Sequence, residues 1–339
     1  MKKAFICLLL MFAAVFAFEP HVRGKILDSA YSLFRETGIN RELSEETPTF
    51  SHQMGSRPVT DMLDVTLYFR FENTQALGAQ RMQLDIRREE TVATRIVQCL
   101  IDGPAVSHEK LHGLFSQGTE VISVSGEDTT AFVTLSTGFL GRPDGAPQDW
   151  EDSFAWQEEA ALRRRLAVQS IVLALTEGGR YQRVQMYVAQ SDDDIPQRIP
   201  MVYFDPYVSD PSLVLAACPR DEHIMLTPEK TMNMILEAWK ARDLSALYAF
   251  VGPAPQSELS TQSVFEDRIN QWDISLLSYS TSTGTVSIDG QTATVVVDAQ
   301  IRSSEGGDAQ IIRESVPLKR LRDNWVIEED TLQSLMIRD

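Results

Sequence analysis

From Asp64 onward the spacing of apolar residues switches repeatedly between a period of two and a period near 3.6, which only a mixed sheet-and-helix fold accommodates. Val65, Leu67, Phe69 and Phe71 alternate with Thr66, Tyr68 and Arg70, the pattern of a half-buried strand. Met82, Leu84 and Ile86 repeat it. Val92, Ile96 and Leu100 then recur at helical spacing behind Glu89 and Glu90, and Gly103-Pro104 stops that helix. Strands are predicted at 120–125 and 130–135, joined through Gly126-Glu127-Asp128. A long helix is predicted over 150–176, with Val168, Ile171, Val172 and Leu175 as its buried stripe. After Gly178-Gly179, Val184, Met186 and Val188 mark a fifth strand. The order β-β-α-β-β-α-β defines an α+β domain over 61–190, read as a sheet covered by helices.

The stretch 191–225, with Asp192-Asp193-Asp194 and prolines at 196, 200, 206, 211 and 219, reads as an extended linker. A second α+β domain over 226–339 opens at Thr227-Pro228, a helix cap followed by proline at the first helical position. Met232, Ile235, Leu236 and Trp239 form the apolar face of that helix. A short helix near 264–270 follows, then a run of strands. Asp289-Gly290 signals a two-residue hairpin, and strands near 311–318 and 324–328 finish the chain. Helices first and antiparallel strands afterwards suggest a curved sheet wrapped on a helix.

Before the first domain, Lys2 and Lys3 precede an apolar run over 4–18, closed by Glu19 and Pro20. Residues 1–18 read as a signal peptide cleaved after Ala17 or as an uncleaved signal anchor, because the run falls short of the roughly 20 residues of a membrane span. Cys7 lies too early in the run to be a lipid-bearing cysteine. Residues 19–60 read as a polar linker with one short helix near 26–34. Either alternative places the protein outside the cytoplasm, exported to the outer face of the cell membrane or secreted. The formal net charge of −17 opposes attraction to nucleic acid or anionic lipid. Membrane contact is therefore expected only through the N-terminal segment. Cys99 and Cys218 imply no disulfide framework, since Cys99 sits on a helical pattern that points into a core.

Leu67-Tyr68-Phe69, Leu100-Ile101-Asp102-Gly103-Pro104, Gly118-Thr119-Glu120-Val121 and Thr134-Leu135-Ser136 together resemble the GerMN domain, the sporulation and germination domain of Gram-positive bacteria. Ala174-Leu175-Thr176 before the strand at 184–188 looks like its close. The resemblance implies a non-enzymatic, membrane-associated envelope module with a ring-building type of fold. Two departures loosen any link to a particular pathway: many relatives are lipoproteins, and the usual acidic residue before Leu135-Ser136 is Thr134 here. The C-terminal region is similar to NTF2-like domains, on the strength of Ala241-Arg242-Asp243-Leu244 and of Trp325-Val326-Ile327 on a final strand. Such domains enclose a cone that binds ligands, catalyses or mediates contacts in different members.

The sharpest enzymatic motif is His108-Glu109-Lys110-Leu111-His112, which matches His-Glu-x-x-His. On a helix that spacing puts two imidazoles on one face for zinc, with the glutamate as base. Pro104 and Gly113 leave room for only about two turns, and Phe115 stands where an extended zinc-protease motif has glycine. A solvated loop is the favoured reading, with a zinc hydrolase through His108 and His112 as the alternative. Arg163, Arg164 and Arg165 are candidates for docking an anionic partner, against a solvated helix face balanced by Glu158 and Glu159. Trp239, Tyr248, Phe250 and Trp272 either line a ligand pocket or fill a core. Asp298 is the carboxylate to inspect for an inward orientation. No cofactor is implied, and self-assembly or other envelope proteins are the expected partners.

Overall fold

The computed structural model describes residues 61–86, 90–254, 259–271, 274–303 and 309–336. The expected signal, the polar linker with its short helix, and Trp272 lie outside the described residues.

Strand β1 (Asp61–Phe71) pairs antiparallel with β2 (Leu77–Ile86), Val65 facing Met82 and Phe69 facing Gly78. Helix α1 (Val92–Asp102) is opened by Thr91, whose side chain accepts from the Thr94 amide, and is closed by Gly103 at φ 92°. The glycine expectation holds there because only glycine adopts that φ without strain. A two-residue strand β3 (Leu111–His112) returns to pair with β1 at Arg70 and Phe71. The hairpin of β4 (Val121–Glu127) and β5 (Thr130–Ser136) follows, turned at Asp128 with φ 51°. Helix α2 (Phe154–Thr176) then carries the chain over to β6 (Arg183–Ala189), which lies parallel to β5.

The strands of this half divide between two sheets, β2-β1-β3 and β4-β5-β6, where the sequence pattern had suggested one. Helix α2 touches both β1 and β6. Its second half is therefore buried all round, from Leu166 to Val168 and from Ser170 to Thr176, and not along one stripe only. A helix apolar on every side is an interior helix. The same packing buries Tyr68 and Arg70, which the alternation had placed on a polar face. Tyr68 donates to Glu177 just past the end of α2, and Arg70 donates to Glu159 near its start. The stretch 191–225 is laid against this half: β7 (Gln197–Arg198) and β8 (Cys218–Pro219) both pair with β6.

Thr227 caps α3 (Pro228–Ala241) as the sequence predicts, and Met232, Ile235, Leu236 and Trp239 are all buried. Arg242, at φ 55°, ends the helix, and Asp243 caps α4 (Leu244–Ala249). Then come β9 (Val251–Gly252), α5 (Gln262–Asn270), β10 (Ile274–Thr281), β11 (Thr285–Val286), β12 (Thr292–Ser303), β13 (Gln310–Leu321), β14 (Asn324–Glu328) and α6 (Glu329–Met336). The sheet runs β10-β12-β13-β14-β9 and curls round α3, which touches β10, β12 and β14. Asp289-Gly290 turns a wider connection than the two-residue hairpin expected, because β11 ends at Val286 and Ser287 caps the turn, its backbone amide and hydroxyl both donating to the Thr292 carbonyl. The closing helix α6 was not foreseen. Most buried apolar residues from β1 to α6 form one continuous core, and Ala146, Trp150 and Ala160 form a small separate cluster.

Candidate functional site

The segment after α1 is not helical, so the five residues from His108 to His112 do not present two imidazoles on one face. His108 lies in a turn, with Nδ1 3.2 Å from Ser107 Oγ and Nε2 3.6 Å from Asp323 Oδ2. His112 lies on β3 and its Nε2 is 3.4 Å from Glu72 Oε2. Glu109 is exposed and 3.9 Å from Arg322. Each histidine thus answers a different carboxylate, and among the described residues no group of His, Cys, Asp and Glu is arranged to hold a metal ion. The segment is a loop that runs into β3 at Leu111.

Lys110, between the two histidines, has a structural role. Its half-buried ammonium group donates to the carbonyls of Ala249 (2.6 Å), the last residue of α4, and of Val251 (3.2 Å), the first of β9. Burial pulls its pKa below the usual lysine value, against a smaller opposing effect of Glu72. The carbonyls at a helix C-terminus carry partial negative charge and suit such a cation.

Lys110 is one part of a joint. The outer edge of β2 is met by the backbone amide of Leu226 and by side chains from the β13–β14 turn. Leu226 donates to the Leu77 carbonyl at 3.0 Å. Two residues on, the Asn324 carboxamide accepts from the Ala79 amide (2.9 Å) and donates to the Ala79 carbonyl (3.0 Å). Two residues further, Asp323 accepts from the Arg81 amide at 2.9 Å. Leu77, Ala79 and Arg81 are alternate residues, whose backbone groups point outward from a strand. The turn that opens β14 therefore acts as a substitute strand and closes an otherwise open sheet edge. Gly78 makes the approach possible, since a Cβ there would stand 2.5 Å from Asn324 Oδ1 and 2.6 Å from Leu111 Cδ2. Phe71 stacks on Phe250 with centroids 5.1 Å apart. Beside this joint lies a cleft of about 320 Å³ with Phe71, Leu111, Leu259 and Val326 in its walls and His108, Glu109 and Arg322 among its polar groups.

The arginine run does not form one cationic patch, because consecutive residues of a helix point in different directions. Arg163 donates to Glu159 and to the Asp144 carbonyl. Arg164 is 6% exposed. Its guanidinium lies 5.6 Å from the Trp150 ring and 5.4 Å from the Tyr203 ring, and donates to the carbonyls of Leu140, Gly141 and Tyr203. Only Arg165 is exposed, with one bond, to the Phe204 carbonyl at 2.9 Å.

In the C-terminal half Trp239 is a core residue, 3% exposed, and Phe250 is buried. Tyr248 is half-buried and donates to the Ser260 carbonyl. Asp298 does not point inward. It shares the outer face of β12 with alternate residues, its side chain is 46% exposed, and it lies 3.5 Å from Arg313 on the facing strand. The alternation that buries Val295, Val297 and Ala299 places Asp298 on the other side. Sequence reasoning missed the joint altogether. Asn324 and Asp323 carry no local signal beyond a turn, although two adjacent positive φ values, at Arg322 (45°) and Asp323 (66°), fit the tight β13–β14 hairpin.

These features define a mixed α+β protein in which a helix-centred pair of sheets is bonded to a curled sheet. Residues 66–192 match the family described as Germane: Sporulation and spore germination, so this segment is a GerMN domain. Among solved structures, the chain is similar to the tandem GerMN domains of the sporulation protein GerM from Bacillus subtilis. That similarity has 14% identity, 54% of this chain and 50% of that chain covered, and a TM-score of 0.31. The first GerMN domain of the same protein is similar at 18% identity, with 38% and 84% covered and a TM-score of 0.26. This chain thus spans half the length of the tandem-domain structure. No curated protein matches.

Proposed function

We propose that this is a non-enzymatic protein of the cell envelope that binds or assembles with other envelope components in spore formation or germination. The observation that carries this reading is the match of residues 66–192 to a family described by sporulation and spore germination. An extracytoplasmic position is supported by the basic-then-apolar start of the sequence, which resembles a signal. No helix among the described residues is long and apolar enough to cross a membrane. The C-terminal half is read as an NTF2-like module, its helix α3 held in the curl of the sheet. The bonds between Asn324 and β2 support a rigid joint between the halves, which suits a protein whose work is to present surfaces at a fixed angle.

The test is capture of the full chain with its neighbours. Cross-linking in membranes of the native cell, followed by pull-down, should retain envelope proteins or further copies of this chain in sporulating or germinating cells. A strictly monomeric protein at high concentration, with no envelope protein retained at either stage, would overturn the proposal.

A further inference from the structure

Away from the joint, α2 and the stretch 199–224 enclose a second cleft of about 360 Å³. Its walls are mainly apolar, supplied by Leu162 and Leu166 of α2 and by Met201, Phe204 and Leu215 opposite. Four groups that can be read chemically share this lining. Arg165 is the exposed member of the arginine run, with one guanidinium nitrogen held by the Phe204 carbonyl at 2.9 Å. Arg163 is paired with Glu159, whereas no carboxylate among the described residues pairs with Arg165. Asp221 also lines the cleft, but its carboxylate is turned to the backbone amide of His223. Gln169 donates through Nε2 to the Pro219 carbonyl, which leaves its Oε1 shielded from solvent and without a partner. Cys218 is a free, half-buried thiol whose pKa is raised by burial.

An apolar cleft with a few convergent polar groups is the usual form of a ligand site. The set here asks for two things at once: an apolar side chain and an anion for Arg165. The last residue of a polypeptide offers both, as an apolar side chain and a terminal carboxylate. We propose that this cleft binds the C-terminal end of a peptide or protein chain that finishes in an apolar residue. Arg165 holds the carboxylate in a charge-assisted pair, and Leu162, Leu166 and Phe204 surround the side chain. The site belongs to α2 and its cover, so the inference stands independently of the role proposed above.

Cys218 serves as the reporter. The full chain is alkylated slowly with N-ethylmaleimide, and the rate at Cys218 is read from its own peptide by mass spectrometry. N-acetyl-Ala-Leu with a free carboxylate should slow that rate in a saturable way at concentrations on the order of millimolar. The corresponding C-terminal amide should need about tenfold more, since it lacks the charge-assisted bond. Arg165→Gln should erase the difference between acid and amide, and Leu162→Trp, which fills the cleft from a partly exposed position, should abolish protection by both. Circular dichroism and melting of each variant establish that it is folded, and Arg165→Lys supplies a second variant that keeps the charge and should retain a preference for the acid. Absence of saturable protection by the acid would overturn the proposal. So would equal protection by acid and amide, or an acid preference that survives Arg165→Gln.

Discussion

The side chain of Asn324 bonds to both backbone groups of Ala79, 245 positions away in the chain. It occupies the place that a neighbouring strand would fill beside β2. A third bond, to the Arg322 carbonyl, keeps the carboxamide in plane with that edge. All the polar capacity of this buried side chain is thereby directed to a single task, joining the first sheet to the last hairpin.

Replacing Asn324 by alanine should therefore cost about 2 kcal/mol, since two partly buried backbone groups of Ala79 lose their partners. Urea unfolding followed by fluorescence would measure it. Asn324→Asp retains the acceptor but not the donor and should unfold at least as easily. A loss below about 0.5 kcal/mol for the alanine variant would show that the joint contributes little.

The arginine run separates a structural residue from a surface one. Arg164→Met removes three bonds to carbonyls and a cation held against Trp150 and Tyr203, and should destabilise the protein by about 3 kcal/mol. Arg164→Lys should recover only part, because an ammonium group cannot reproduce the planar fork. Arg165→Gln, at an exposed position, should stay within about 0.5 kcal/mol of the parent. Melting temperatures of the three variants give the order directly.

Glu159 supplies an acid limb to stability. Burial raises its pKa, but the hydrogen bonds and charges of Arg70 and Arg163 outweigh that effect and hold the carboxyl below the usual glutamate value. A carboxyl depressed in the folded state contributes stability that is complete above the unfolded pKa, about 4.3, and is lost as pH falls through the lower folded value. Glu159→Gln should thus be less stable than the parent near neutrality, where it strands the buried Arg70, and the gap should close as the pH drops below about 4.3. Denaturation midpoints measured from about pH 3 to pH 7 would decide; a gap constant across that range would sink the assignment.

The zinc motif gives the plainest outcome. His108 and His112 face Asp323 and Glu72 separately, so purified protein should hold no stoichiometric zinc after dialysis, and His112→Ala should leave metal content and melting temperature unchanged. One equivalent of zinc, lost on replacing either histidine, would restore the hydrolase alternative.

Much of this architecture is written in local pattern. The Thr227-Pro228 cap, the apolar face through Met232, Ile235, Leu236 and Trp239, the stop at Gly103 and the β14 strand all follow from residues within a turn or two of one another. The physics that sets them is equally local: orphan helix amides seek a nearby oxygen, and apolar side chains repeat at the period of their element. The short motifs around Leu100–Pro104 and Gly118–Val121 likewise pointed to the GerMN domain, which the family match at 66–192 shows. Tertiary structure decided what lies between elements. It split the first strands into two sheets around α2, buried Tyr68, Arg70 and Arg164, and gave Lys110 to the carbonyls of Ala249 and Val251. It also brought Asn324 to Ala79. None of these is legible one segment at a time, because the energy of a buried polar group depends on which distant donor or acceptor arrives beside it, and no local spacing records that meeting.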